Sequence, residues 1–125
     1  MLTRDELMAF VPSTNLDRSL DFYADTLGLE LEGRDQFALQ FRAGSGTGLR
    51  VTLVQEHAGA PYTVLGWRVE DIQRSVRELA ERGVAFQGYD GMEQDELGVW
   101  TSPSGARIAW FKDPDGNTLS LAQSS

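Results

Sequence analysis

The chain contains no cysteine, which removes both a disulfide framework and a thiolate metal site. Its single histidine, His57, cannot build a facial site of two imidazoles and one carboxylate. No apolar run approaches the ~20 residues of a membrane-spanning helix, because charges interrupt every hydrophobic stretch. The first residues, Met1-Leu2-Thr3-Arg4-Asp5-Glu6, lack the basic start and apolar core of a signal peptide, so the expected location is cytoplasmic. A Gly-Lys-Thr phosphate loop, a nucleophile elbow and a Ser/His/Asp or Cys/His set are missing as well. Basic residues are the minority, 11 against 19 acidic ones, giving a formal net charge of −8. That field repels phosphate backbones, so nucleic acid is not an expected partner. At long range it favours a cationic ligand, or it serves solubility alone.

What remains is globular. The chain has 125 residues, 41 % hydrophobic and 24 % charged, which suits one domain with a real core. Two helices are marked by 3.6-residue spacing. In the first, Leu16, Leu20, Tyr23 and Leu27 share a face, Asn15 is the N-cap, and Gly28 is the left-handed stop. The second is expected from Asp71 to about Arg82, with Ile72, Val76, Leu79 and Ala80 as its stripe and Gly83 as its stop. Strands are expected at 7–13, 37–41, 49–55, 63–69, 97–101, 107–111 and 118–122, where β-branched and aromatic residues cluster between turn signals. Gly44-Ser45-Gly46-Thr47-Gly48 joins two strands, so it reads as a hairpin turn and not a nucleotide loop. Glu93, Asp95 and Glu96 read as a solvated loop, with acid–base work as the alternative if one were buried.

The halves repeat each other. Leu16-Asp17-Arg18-Ser19-Leu20 answers to Ile72-Gln73-Arg74-Ser75-Val76, and Leu49-Arg50-Val51-Thr52-Leu53-Val54 parallels Ala106-Arg107-Ile108-Ala109-Trp110-Phe111. Each half is strand, helix, then three strands, and a sheet face left uncovered by its one helix needs a second unit. The fold class is therefore α+β, one domain over 1–125, with modules at about 7–56 and 63–122.

A doubled βαβββ unit closing on Asp113-Pro114-Asp115-Gly116-Asn117 resembles the glyoxalase/bleomycin-resistance/extradiol-dioxygenase (vicinal oxygen chelate) family. The resemblance runs from about Leu7 to Ala122 and is most specific at 15–29, at Val69-Glu70-Asp71-Ile72 and at 111–117. It implies a curved mixed sheet around a cleft. In the family's metal-using members, ligands stand where this chain has Met8, Thr52, Val64 and Ser120. A thioether, a hydrocarbon and two hydroxyls do not supply the imidazole and carboxylate donors that zinc, nickel or iron(II) take. His57, beside Glu56, reads as a solvated surface residue. No metal and no cofactor are expected.

Period-two alternation under that resemblance sorts the strands. Met8, Phe10 and Pro12 should face the cleft while Ala9 and Val11 face the helix. Val64, Gly66 and Arg68 should face it opposite Leu65, Trp67 and Val69, together with Arg50, Thr52, Val54, Thr118 and Ser120. Phe41, Trp100 and Trp110 are candidate aromatic walls, with core packing as the alternative for each. The expected ligand-binding set is thus Met8, Phe10, Phe41, Arg50, Thr52, Val64, Gly66, Arg68, Trp100, Trp110 and Ser120. Three roles fit: a metal-free module that sequesters or senses a small apolar, aromatic or cationic compound; a lyase, isomerase or dioxygenase of the family type; and an accessory domain. A homodimer is the expected assembly.

Overall fold

The structure is a computed structural model that describes residues 1–125. It divides into two compact units, Met1–Ala58 and Gly59–Ser125. The strands are β1 (Met8–Ser13), β2 (Glu30–Arg34), β3 (Ala38–Arg42), β4 (Gly48–Leu53), β5 (Thr63–Arg68), β6 (Trp100–Thr101), β7 (Arg107–Lys112) and β8 (Thr118–Gln123). The helices are α1 (Leu16–Leu20), continued by a π-helical segment over Asp21–Thr26, and α2 (Ile72–Glu81). The first unit's sheet runs β1-β4-β3-β2 and the second's β5-β8-β7-β6, the same order twice. In each, the strand before the helix pairs in parallel with the last strand, and the other pairs are antiparallel.

In the first unit Val11, Leu39, Phe41, Leu49 and Val51 form the buried side, under Leu16, Ser19 and Tyr23. Tyr23 packs on Phe41 with ring centroids 5.9 Å apart. The Asn15 side chain accepts from the Arg18 amide at 3.1 Å, as an N-cap should. Ser13 Oγ stands 2.7 Å from Ser19 Oγ and accepts from the Asn15 amide, tying β1 to the helix through buried hydroxyls. The helix does not continue as the regular α-helix its periodicity predicts. The Leu27 amide donates to the Phe22 carbonyl, and the wider turn carries the chain to Gly28 at φ 76°, where the Leu29 amide closes on Tyr23.

In the second unit Ile72 and Val76 of α2 cover Ala109, Phe111, Leu119 and Leu121. Asp71 caps the Arg74 amide, and Gln123 Oε1 accepts from the Ile72 amide at 2.8 Å, fixing the helix start to β8. Gly83 has φ 94° and ends the helix as expected. The Asp113–Asn117 turn holds itself together. Asp113 Oδ1 accepts from the Asp115 and Asn117 amides, and its Oδ2 accepts from Asn117 Nδ2 at 2.8 Å. Both side chains are buried, so this signature motif is a structural staple. Gly59 passes so close that a Cβ there would lie 1.9 Å from the Gly116 carbonyl oxygen.

Two strands depart from expectation. β2 is not marked in the sequence, because Glu30, Glu32, Gly33 and Arg34 are poor strand formers held here only by pairing with β3. The strand expected over 97–101 shrinks to Trp100–Thr101. Asp95 Oδ1 takes the Leu97 and Val99 amides, and Gly98 turns at φ 88°, which is loop and not ladder.

Candidate functional site

Each sheet has one side packed on its helix and an opposite side, free of any helix, on which Ala38 in the first unit and Thr118 in the second are nonetheless buried. In the first unit the free side carries Phe10 beside Arg50 and Gln40, and Pro12 beside Thr52 and Ala38, with Met8 at the end of β1. Phe10 is 60 % exposed, Met8 is exposed, and Arg50 and Thr52 are half-buried. Phe41 is not among them. Its register with Leu49 places it on the helix side, 1 % exposed against Tyr23, so here the core-packing alternative holds. Residue type alone makes it a candidate wall, whereas alternation from Gln40 puts it on the opposite face.

Arg42 at this sheet's rim is held by Glu6 Oε1 at 2.9 Å and Glu32 Oε2 at 2.8 Å, and it donates to the Gly46 carbonyl. The hydrogen bond from Arg42 keeps the Glu32 carboxyl below its ordinary pKa, and the two carboxylates raise that of Arg42. Asp35 is also lowered, first by the Phe37 amide it accepts, then by the Ala38 amide and the charge on Arg50. These charges brace the strand edge and the turn into β3.

The second unit's free side is built row by row. Trp100, Ile108, Ala122 and Arg68 lie across the sheet in one row, Trp110, Ser120 and Gly66 in the next, and Lys112, Thr118 and Thr63 in the third. Trp100 and Trp110 meet at 6.1 Å between centroids, tilted by 36°. Tyr89 stands edge-on to Trp110 at 5.5 Å and 88°. Ser120 is 9 % exposed, and a Cβ at Gly66 would come within 3.0 Å of its Oγ, so glycine there leaves the hydroxyl its room. Val64 is the extra residue of a bulge in β5, 39 % exposed and outside the ladder, and Thr63 takes the register opposite Thr118. Plain alternation would have given that place to Val64.

Nothing in the sequence marks Tyr89. It lies in Gly88-Tyr89-Asp90-Gly91, which has neither period nor strand propensity. Gln94 holds it in place. Its Oε1 accepts from the Tyr89 amide at 2.7 Å, and its Nε2 donates to the Gln87 and Gly98 carbonyls at 2.9 Å each. The Gln87 amide in turn donates to the Trp110 carbonyl at 2.8 Å, so the loop is tied directly to the strand that carries its aromatic partner. Asp95 is spent on backbone amides, and neither Glu93 nor Glu96 is buried, so this loop offers no paired carboxylates for proton transfer.

The four positions where the resemblance expects metal ligands carry a thioether, a hydrocarbon and two hydroxyls, and Val64 has left the ladder altogether. No group of three His, Cys, Asp or Glu side chains stands close enough to hold a metal ion. The residues present do not fit a divalent metal of the imidazole–carboxylate type. No helix is long and apolar enough to cross a membrane.

Solved structures share the fold. A member of the glyoxalase/bleomycin resistance protein/dioxygenase superfamily from Sphaerobacter thermophilus matches with a TM-score of 0.76 at 24 % identity, covering 99 % of this chain and 100 % of that one. TnmS3, an antibiotic-binding protein from Streptomyces sp. CB03234, matches with a TM-score of 0.73 at 27 % identity, over 100 % and 99 %. A lactoylglutathione lyase from Agrobacterium tumefaciens gives 0.73 at 16 % identity, over 98 % and 96 %. No protein with a curated description matches the sequence. The family model for the glyoxalase/bleomycin resistance protein/dioxygenase superfamily spans residues 5–121, and the chain belongs to that superfamily.

Proposed function

We propose that this protein binds a small planar, largely apolar compound on the free side of its second sheet, without a divalent metal. The observation that carries the reading is Trp110 with a ring on each hand, Tyr89 edge-on to it and Trp100 tilted against it, on the side of the sheet away from α2. Such rings offer a large, rigid contact area, while Ser120, Gly66 and Arg68 give the sparse polar features that orient a ligand. The donor chemistry at the family's ligand positions supports metal independence. The likeness to an antibiotic-binding protein favours binding over catalysis. On the first unit, Met8, Phe10, Arg50 and Thr52 form a second candidate contact surface. The proposed partner chain is another copy of this one, since β1 is an outer strand whose flanking Leu7 and whose Phe10 are exposed. Light scattering on the purified protein should then give twice the chain mass.

The test of binding uses chelator-dialysed protein titrated with 2-naphthamide, a neutral planar probe, following tryptophan emission. Saturable quenching that needs no metal and is lost in Trp110→Leu is the expected result. Binding that appears only after zinc or nickel is added would overturn metal independence and put an enzymatic reading first.

A further inference from the structure

The second sheet's free side carries the opposite sign of charge from the chain as a whole. In a protein with 19 acidic residues, none of its ladder positions holds Asp or Glu, yet it holds Arg68 and Lys112. Lys112 is the only lysine in the sequence. Its Nζ donates to Thr118 Oγ1 at 2.9 Å, and that hydroxyl donates in turn to the Ala60 carbonyl at 2.7 Å. The relay fixes the ammonium above the row next to Trp110 and leaves two of its protons undirected. Neither Lys112 nor Arg68 has a carboxylate within ion-pair distance. Glu70 borders the hollow beside Arg68, so the Lys112 end is the less compensated of the two.

From this we propose that the ligand is an aromatic anion, a planar ring system bearing a carboxylate or a comparably acidic oxygen, whose ring lies on Trp110 and whose charge meets Lys112. The inference rests on the proposed aromatic site and names the class of compound it takes. The overall charge of −8 slows the approach of an anion at long range, but contact geometry decides the bound state, where a charge-assisted hydrogen bond outweighs a screened field. The Trp110–Ser120 row supplies a ring surface and a hydroxyl, and Lys112 supplies the charge, so one face meets both ends of such a molecule.

The experiment compares 2-naphthoate, 2-naphthamide and 2-naphthylmethylammonium by calorimetry at pH 7 and about 0.15 M salt, where the net field is screened, on the full chain and on three variants. 2-Naphthoate should bind about tenfold tighter than the amide, and the ammonium compound weakest. That preference should collapse in Lys112→Gln, fall partly in Arg68→Gln, and persist in Arg107→Gln, which removes the same charge from the helix side of β7. Equal affinity for acid and amide, or a preference that survives Lys112→Gln, would overturn the anion assignment while leaving the aromatic site standing. Absence of binding by all three probes to folded protein would overturn the aromatic site and this inference together.

Discussion

The two units share one strand order and differ at the outer rim. In the first, β2 is a full five-residue strand with a bulge at Glu32, whose carboxylate accepts from Arg42, so charge closes the edge. In the second, the corresponding β6 is two residues long, and the chain before it becomes a loop knotted by Gln94 and Asp95. That loop sends Phe86 to Phe111 on the helix side, at 5.3 Å, and Tyr89 to Trp110 on the other side. A duplicated scaffold has thus kept one rim as a braced edge and turned the other into a support for aromatic rings. Backbone pairing sets the fold in both, and the side chains of a few loop residues make the difference.

The comparison breaks most sharply at two residues one step apart on β7. Phe111→Ala, on the helix side, should cost about 3–5 kcal/mol of stability by emptying a fully buried site. Trp110→Ala, on the free side, should cost clearly less stability and lose binding of 2-naphthamide. Denaturant melts together with titrations check both, and equal stability losses would mean the two sides are not distinct in role. Next in size, Gln94→Ala removes the acceptor and donors that hold the Tyr89 loop, a loss of about 1–3 kcal/mol. Exchange protection at the Tyr89 amide should fall while that of β8 is kept. In the first unit, Ser13→Ala removes the Ser13–Ser19 hydroxyl contact and the acceptor of the Asn15 amide and should cost about 1 kcal/mol, read from the shift in midpoint.

The smallest effect concerns pH. Glu32 and Asp35 have lowered pKa values when folded, so they bind protons less readily there than in the unfolded chain. Their stabilisation is present above the ordinary carboxylate pKa and fades as pH falls below about 4. Both groups are solvent-exposed, so the change is slight. Glu32→Gln should flatten the acid limb of the melting temperature against pH, and an unchanged limb would show that the Arg42 clamp contributes nothing.

Much of this was legible in the residues. Asn15, Gly28, Asp71 and Gly83 bound the helices because capping and left-handed geometry are local properties. The repeat and the Asp113–Asn117 turn pointed to the family, since both are sequence patterns with a structural cause. Trp100 and Trp110 were legible as candidates, and register places them side by side on one face. Of the two readings open for Phe41, core packing holds, because alternation with Gln40 and not aromatic type decides the face. Val64 was misplaced by a bulge, which inserts a residue without any compositional mark. β2 and Tyr89 were invisible for a related reason. Both depend on tertiary pairing, β2 with β3 and Tyr89 through the side chain of Gln94, and neither carries a local period.

In the proposed site the second sheet's free side, and not its helix side, receives the ligand. Chemical-shift mapping of isotope-labelled, chelator-dialysed protein with 2-naphthamide tests it most directly. Perturbations are expected at the indole N–H groups of Trp100 and Trp110 and at the amides of Tyr89, Gly66 and Ser120, with Trp67 and Phe111 unmoved. Perturbations centred on Trp67 and α2, or on neither side of this sheet, would contradict it.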